Sequence, residues 1–132
     1  PLRALALTVE EARITRGFTF LSEKPILHGI NLHEKGLADG PRVVEVFGLG
    51  DLAARSHTRV GWVSAVIEAE VAQLAGEERE AFLADLGLAE PAINRVLHDC
   101  YALLGLVSLF TVGEDEVSAS PVRRSWASSR SA

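Results

Sequence analysis

A short apolar run, Ile26 to Ile30, constrains the fold of this chain more than any other feature. Pro25 precedes the run, and Asn31 ends it abruptly. Its length and composition are typical of a strand that is buried on both faces of a parallel sheet. The polar residues that follow would then lie at the carboxyl end of a central strand, where open α/β sheets bind ligands. The sequence therefore predicts an α/β fold with a ligand site beside Asn31.

A second apolar run, Thr58 to Ala65, predicts a second buried strand. Val60 and Trp62 supply apolar bulk, and the run ends at Ser64 and Ala65 in another small polar loop. We expect the two strands to be parallel neighbours in one sheet.

Helical patterns flank both strands. Thr8 and Glu11 have the spacing of a capping box, which predicts a helix from about Val9 to Leu21. The apolar residues expected to face a sheet from this helix are Ala12, Ile14, Phe18 and Leu21. Between Ile67 and Leu104 the apolar spacing predicts three more helices, which glycines separate.

Residues 41–57 are ambiguous by local pattern. Val43 and Val44 favour a strand, whereas Pro41 in a first turn and the spacing of Leu49 and Leu52 favour a helix.

The C-terminal stretch is predicted to contain a strand at Leu106 to Val112 and a turn at Gly113 to Glu116. From Ser118 the chain is rich in Ser, Ala and Arg without periodicity, so we expect it to be mobile.

Composition and charge exclude several classes of protein. The 132 residues are 48% hydrophobic and 23% charged, which is typical of a globular domain. The net charge of -5 argues against a dedicated DNA-binding or membrane-surface protein, because there is no basic excess to neutralise phosphates. Cys100 is the only cysteine, and no apolar run has the length of a membrane span. We expect a cytoplasmic protein.

Three long segments resemble the YchF-type Obg-related ATPases, which are P-loop NTPases of the translation-factor class. They occur in the family's order and at its approximate spacing, as TRGFTFLSEKPILHGINLHEKGL at 15–37, VSAVIEAEVAQLAGEEREAFLADLGL at 63–88 and INRVLHDCYALLGLVSLFTVGEDEV at 93–117. The resemblance implies a middle-to-C-terminal fragment with part of a P-loop NTPase-type parallel sheet and flanking helices. Residues 1–105 would be the C-terminal part of the nucleotide-binding domain, and residues 106–132 the truncated start of a TGS domain with a mobile tail. It also implies a helix at 42–56.

The resemblance further implies a base-recognition site. The residues NLHE at 31–34 resemble the family's NxxE motif, in which Asn31 would recognise the base, Leu32 would cover it and Glu34 would set the purine preference. A carboxamide can pair with both N7 and the exocyclic amine of adenine. Guanine-specific relatives carry Asp three residues after the Asn, and Glu34, with its extra methylene, would overshoot the guanine donors. The motif therefore favours ATP over GTP.

Ser64 and Ala65 resemble the family's second base-side loop, which would close the far side of the base through backbone contacts. Val66 stands where the family usually has Lys. No G-x-x-x-x-G-K-[ST] occurs in the 132 residues, so phosphate binding, Mg²⁺ and hydrolysis would belong to upstream sequence, and this chain alone is expected to be inactive.

Two functions remain open from the sequence. One is the nucleotide-binding segment of a ribosome-associated ATPase or GTPase of the YchF class. The alternative is a non-enzymatic helical interaction module, or a truncated remnant, that binds no nucleotide.

Other patterns suggest weaker candidate sites. Gly48 to Ala53 matches the dinucleotide fingerprint G-x-G-x-x-G/A, although a glycine-interrupted surface helix has the same pattern. Cys100 lies on an apolar helix stripe and is expected to be a buried structural thiol. Histidines without a recognised metal-ligand spacing are His28, His33, His57 and His98. Carboxylates expected on a solvated helix face are Glu68, Glu70, Glu77, Glu78 and Glu80. Residues that could contact RNA from the tail are Arg123, Arg124, Trp126 and Arg130.

Overall fold

Two parallel strands organise the α/β part of the chain. The computed structural model describes residues 1–112 and 117–124. Strand β1 spans Ile26–Asn31, and strand β2 spans Thr58–Val63. They pair in parallel from their first residues to Asn31 and Val63, so both carboxyl ends lie at one edge of the sheet. The predicted parallel pair is confirmed.

The prediction that β1 is buried on both faces is wrong for the described part of the chain. Four of its six residues are half-buried, and the other two, Gly29 and Asn31, are exposed. The cause is the size of the sheet, because the described residues contribute only two strands to it. A parallel sheet normally has both faces covered.

Helix α1 spans Val9–Arg16 and starts with the predicted capping box. The Thr8 hydroxyl accepts from the backbone N–H of Glu11, and the Glu11 carboxylate accepts from the backbone N–H of Thr8. The helix ends earlier than Leu21, because a turn follows at Gly17 and Thr19 adopts a positive φ of 51°.

The prediction that the apolar residues of α1 and its following turn face a sheet is wrong for the three large ones, whereas Ala12 is half-buried. Large apolar residues of this segment are exposed, by 59% for Ile14, 65% for Phe18 and 83% for Leu21. The early end of α1 removes the helical register on which that prediction depended.

The ambiguous segment is helical but interrupted. A 3₁₀ helix, Glu34–Arg42, leads into α2 at Val43–Val46, and α3 follows at Gly50–Ala53. Gly48 has a φ of 63° between the two single turns, which breaks the predicted helix. Because a helix and not a strand precedes the glycines, the dinucleotide fingerprint lacks its structural context.

Three helices follow β2, as predicted. They are α4 at Ala65–Val71, α5 at Gly76–Asp85 and α6 at Ala92–Leu104. The buried core lies between α4, α5 and the 3₁₀ helix and contains Leu37, Ile67, Val71 and Leu83.

An antiparallel hairpin completes the described chain. Strand β3 spans Leu106–Val112, as predicted, and strand β4 spans Val117–Arg123. The expected mobility from Ser118 is therefore wrong as far as Arg123, because ladder hydrogen bonds to β3 override a segment with little strand signal of its own. The predicted turn at 113–116 and the residues after 124 lie outside the described residues.

Within residues 1–112 and 117–124, no helix combines the length and the apolarity that a bilayer crossing requires.

Gly40 is predicted to be intolerant of a side chain. A Cβ atom there would overlap the indole ring of Trp62, whereas a Cβ at Gly36 in the same 3₁₀ helix would meet nothing within 4 Å. We expect Gly40→Ala to lower the free energy of unfolding by about 1–3 kcal/mol, since the overpacked indole must shift. Urea denaturation followed by circular dichroism measures this, with Gly36→Ala as the control. Equal effects of the two substitutions would contradict the contact.

The cap of α1 is predicted to depend on pH. Hydrogen bonds from the backbone N–H and then from the hydroxyl of Thr8 lower the pKa of the Glu11 carboxyl below its ordinary value of 4.5. The stabilisation by this cap is thus fully present above the ordinary pKa and is lost as the pH falls through the lowered value. An NMR pH titration of the α1 amides should show this loss in the wild type but not in Glu11→Gln. A midpoint for Glu11 at or above 4.5 would contradict the cap.

Candidate functional site

The two polar loops at the carboxyl edge of the parallel sheet are in direct contact. Asn31 ends β1, and its Oδ1 accepts a hydrogen bond of 3.1 Å from the backbone N–H of Ala65, the first residue of α4. One residue on, the N–H of Leu32 donates to the carbonyl of Val63 at 2.8 Å. The structure therefore brings together Asn31 and the Ser64–Ala65 loop, two parts of the chain that sequence analysis assigned to one site.

This contact fixes the orientation of the Asn31 amide. A backbone N–H requires an acceptor, so the oxygen of the carboxamide must face Ala65 and the nitrogen must face the other way. Asn31 is exposed. Its Nδ2 group is thus placed to donate a hydrogen bond to a ligand that carries an acceptor, and its oxygen has a second lone pair.

Ser64 presents a buried hydroxyl at the same place. Its side chain is only 3% exposed, and its Oγ finds no hydrogen-bond partner among residues 1–112 and 117–124. It occupies the N-cap position of α4, yet its side chain makes no capping hydrogen bond. Buried polar groups in proteins almost always have a partner, so a partner from outside the described residues is expected.

Leu32 and Glu34 have different surroundings. Leu32 is buried, with 6% of its surface exposed. Glu34 is exposed at the first position of the 3₁₀ helix. The loop between them is held at His33, whose Nδ1 accepts from the N–H of Lys35 at 3.4 Å.

Two contacts join α6 to β2, one at Trp62 near the Ser64–Ala65 loop and one at Arg59 near the start of the strand. The guanidinium of Arg95 lies 4.0 Å from the ring centroid of Trp62, which is a cation–π geometry. Arg59 forms a salt bridge of 2.8 Å with Asp99. These contacts have no local signal in the sequence, because the residues that form them are far apart in the chain.

A third contact was also missed. Glu68 was assigned to a solvated helix face, but it is half-buried, and its carboxylate accepts from the backbone N–H groups of Ala92 at 2.7 Å and Ile93 at 3.4 Å. It caps the start of α6. The sequence does contain a signal for this contact: Pro91 stands at the N-cap and offers no side-chain acceptor, so the helix needs one from elsewhere.

The other candidate sites gain no support. Among the described residues no three His, Cys, Asp or Glu side chains are grouped so as to hold a metal ion. Cys100 is half-buried on α6 and forms no disulfide there. Arg123 and Arg124 are exposed at the end of β4, and the remaining tail candidates, Trp126 and Arg130, lie outside the described residues.

Asn31 is predicted to couple the two loops. Asn31→Ala removes the acceptor of the Ala65 N–H and should lower the free energy of unfolding by about 0.5–1.5 kcal/mol. Asn31→Asp keeps an oxygen at this position and should stay closer to the wild type. Urea denaturation measures both variants, with Asn94→Ala on the exposed part of α6 as the control. Equal losses for the Ala and Asp variants would show that the hydrogen bond contributes nothing.

Comparisons with known proteins give one consistent result. The “Ribosome-binding ATPase YchF” of Escherichia coli O157:H7 is 41% identical over 118 residues, which are 89% of this chain and 32% of the relative. The protein of the same name from Bacillus subtilis (strain 168) is 37% identical over 119 residues, 90% of this chain and 32% of that relative. The chain thus spans about a third of the length of the curated relatives it matches. No family model matches it.

A solved structure shares the fold. The Schizosaccharomyces pombe YchF GTPase superposes with a TM-score of 0.72 at 21% identity, over 94% of this chain and 33% of the other. The resemblance seen in the three sequence segments is therefore confirmed, and this chain is homologous to about one third of a YchF-type protein.

Proposed function

We propose that this chain supplies the purine-binding loops of a YchF-type nucleotide-binding ATPase. The observation that carries the proposal is the hydrogen bond between Asn31 and Ala65, because it joins the NxxE segment to the second loop at the carboxyl edge of the sheet. That edge is where open α/β sheets bind ligands. The homologous proteins are named ATPase in bacteria and GTPase in fission yeast, so a nucleotide is the ligand class that both names share.

In this proposal Asn31 recognises the purine ring. Its Nδ2 group, which points away from Ala65, donates to N7, an acceptor that adenine and guanine have in common. The second lone pair of its oxygen accepts from the exocyclic amine, which only adenine carries at that position. Asn31 thereby distinguishes purines from pyrimidines and favours adenine by one hydrogen bond.

Glu34 adds to the preference for ATP. Guanine presents donors on its Watson–Crick edge that a shorter Asp carboxylate would accept, and the longer Glu34 overshoots them. Ser64 and Ala65 close the other side of the base. Leu32 offers the base only a small contact, because 6% of its surface is exposed.

Phosphate binding and hydrolysis are assigned to other parts of the complete protein. The 132 residues contain no phosphate-binding loop motif, so we infer that this loop, the Mg²⁺ site and the hydrolytic residue lie in the part of a YchF-type protein that this chain does not span. Residues 1–105 would complete the nucleotide-binding domain, and residues 106–132 would begin a TGS domain. Ribosome binding, named for the bacterial relatives, and a cytoplasmic location are proposed for the complete protein.

The structure favours this proposal over an independent interaction module. Within the described residues the parallel sheet has two strands, and each has an unpaired edge. A stable independent module should cover or charge such an edge. The unpaired edges and the half-buried residues of β1 therefore support the interpretation that this sheet is part of a larger domain.

Nucleotide titration of the ¹⁵N-labelled chain tests the proposal. ATP should shift the amide signals of Asn31 and Ala65 more than GTP does, and CTP should leave them unchanged. Because only the base is held, we expect a dissociation constant on the order of 1 mM. Asn31→Ala should weaken ATP binding about tenfold or more, the equivalent of about 1.4 kcal/mol.

Asn94→Ala is the matched control for this titration, since it removes an exposed amide from α6. The same variants can be compared in a chimera in which the chain replaces the homologous third of the E. coli relative. If Asn31→Ala binds ATP as tightly as the wild type in both settings, Asn31 does not recognise the base.

A further inference from the structure

We propose that Glu68 is a positioning residue for the contact between Asn31 and Ala65. Its carboxylate ties α4, which starts at that contact, to the first turn of α6. The consequence for nucleotide affinity rests on the proposed function, whereas the consequence for the contact itself does not.

The position of Glu68 relative to the loop is set by the helix. Glu68 lies about one turn after Ala65 in α4, and its backbone N–H donates to the carbonyl of Ser64 at 2.9 Å. The same residue therefore holds the loop through its backbone and α6 through its side chain. Any change in the angle of α4 moves the N–H of Ala65, because the first turn is rigid.

The side chain of Glu68 joins the two helices through one short hydrogen bond of 2.7 Å and one long hydrogen bond of 3.4 Å. Two backbone N–H groups at a helix start donate to one carboxylate, which satisfies two donors that have no partner within the helix. A negative charge at this end is also favoured by the helix dipole. Pro91 at the N-cap leaves the role to Glu68.

On the other side of the loop, α6 is fixed to β2. Arg95 packs over Trp62, and Asp99 binds Arg59, so β2 cannot shift relative to α6 without breaking one of these contacts. Glu68 joins α6 to α4, the helix that follows the loop. Helix α6 therefore contacts both elements that flank the Ser64–Ala65 loop, β2 before it and α4 after it. Loss of Glu68 removes the tie between α6 and the helix that carries the Ala65 N–H, while the buried residues Ile67 and Val71 still hold that helix in the core.

A merely structural cap would behave differently. It would stabilise the start of α6 and raise the free energy of unfolding, yet the Ala65 N–H would remain bonded to Asn31 in the folded protein whether or not Glu68 were present. A positioning role instead requires that the Ala65 contact weakens while the rest of the fold persists. Local measurements under native conditions separate the two roles.

The experiment compares wild type, Glu68→Ala and Glu68→Gln by NMR of the ¹⁵N-labelled chain without nucleotide. Glu70→Gln is the control, because Glu70 is exposed on the same helix and the charge change is identical. We expect hydrogen exchange at the Ala65 amide to be about fivefold faster in Glu68→Ala, while slowly exchanging core amides show that global unfolding is rare. The side-chain amide signals of Asn31 should shift in the same variant. Glu68→Gln, which keeps one acceptor oxygen, should give a smaller change.

The results decide between the roles. Faster exchange at Ala65 in Glu68→Ala but not in Glu70→Gln supports positioning. Faster exchange confined to Ala92 and Ile93, with Ala65 unchanged, shows a local cap and overturns the proposal.

ATP titration adds a separate readout. If the wild type binds ATP, Glu68→Ala should weaken binding about threefold to tenfold, and unchanged binding would count against positioning. If the wild type binds no nucleotide either alone or in the chimera, the proposed function fails, and the exchange data obtained without nucleotide still decide the role of Glu68.

Discussion

The parallel pairing of β1 and β2 is the constraint on which the candidate site depends. Because Asn31 is paired with Val63, the residues after each strand leave the sheet side by side. The amide of Asn31 then reaches the first N–H of α4 across a gap of 34 residues in the chain. A slip of one residue in either strand would turn its alternating side chains to the opposite face and separate these groups. The hydrophobic pattern of the strands thus determines the geometry of a polar site.

Much of this architecture follows from local sequence. Three features are determined by residues close to them in the chain. They are the capping box at Thr8, the apolar runs that form β1 and β2, and the glycine that ends α6 in a left-handed conformation. Features with distant partners were harder to predict. The segment after Ser118 has little strand character of its own and becomes β4 only because β3 pairs with it. The first helix stops early because its turn at Gly17 ends a pattern that periodicity alone would continue.

The candidate site also contains some residues that the sequence identifies and some that only the tertiary structure shows. Asn31 and the Ser64–Ala65 loop were identified by their likeness to a family motif, and parallel topology explains why they meet. Glu68 was missed because a glutamate on a helix has the same local pattern whether it faces solvent or caps another helix. Its role is visible only when the start of α6 is seen to lack a cap of its own. The polar contacts around the loop therefore belong to the tertiary structure and not to any single segment.

The junction between α6 and the hairpin has a mechanical consequence. Gly105 ends the helix, and its carbonyl accepts from the backbone N–H of Arg124 at 2.8 Å, so both strands of the hairpin are fastened to the helix terminus. A helix of 13 residues is about 20 Å long and bends little. Its first turn is held near the carboxyl edge of the parallel sheet through Glu68, and its last turn is held at the hairpin. Because the helix bends little, the orientation of its first turn beside the carboxyl edge of the sheet also sets the position of the hairpin at its other end.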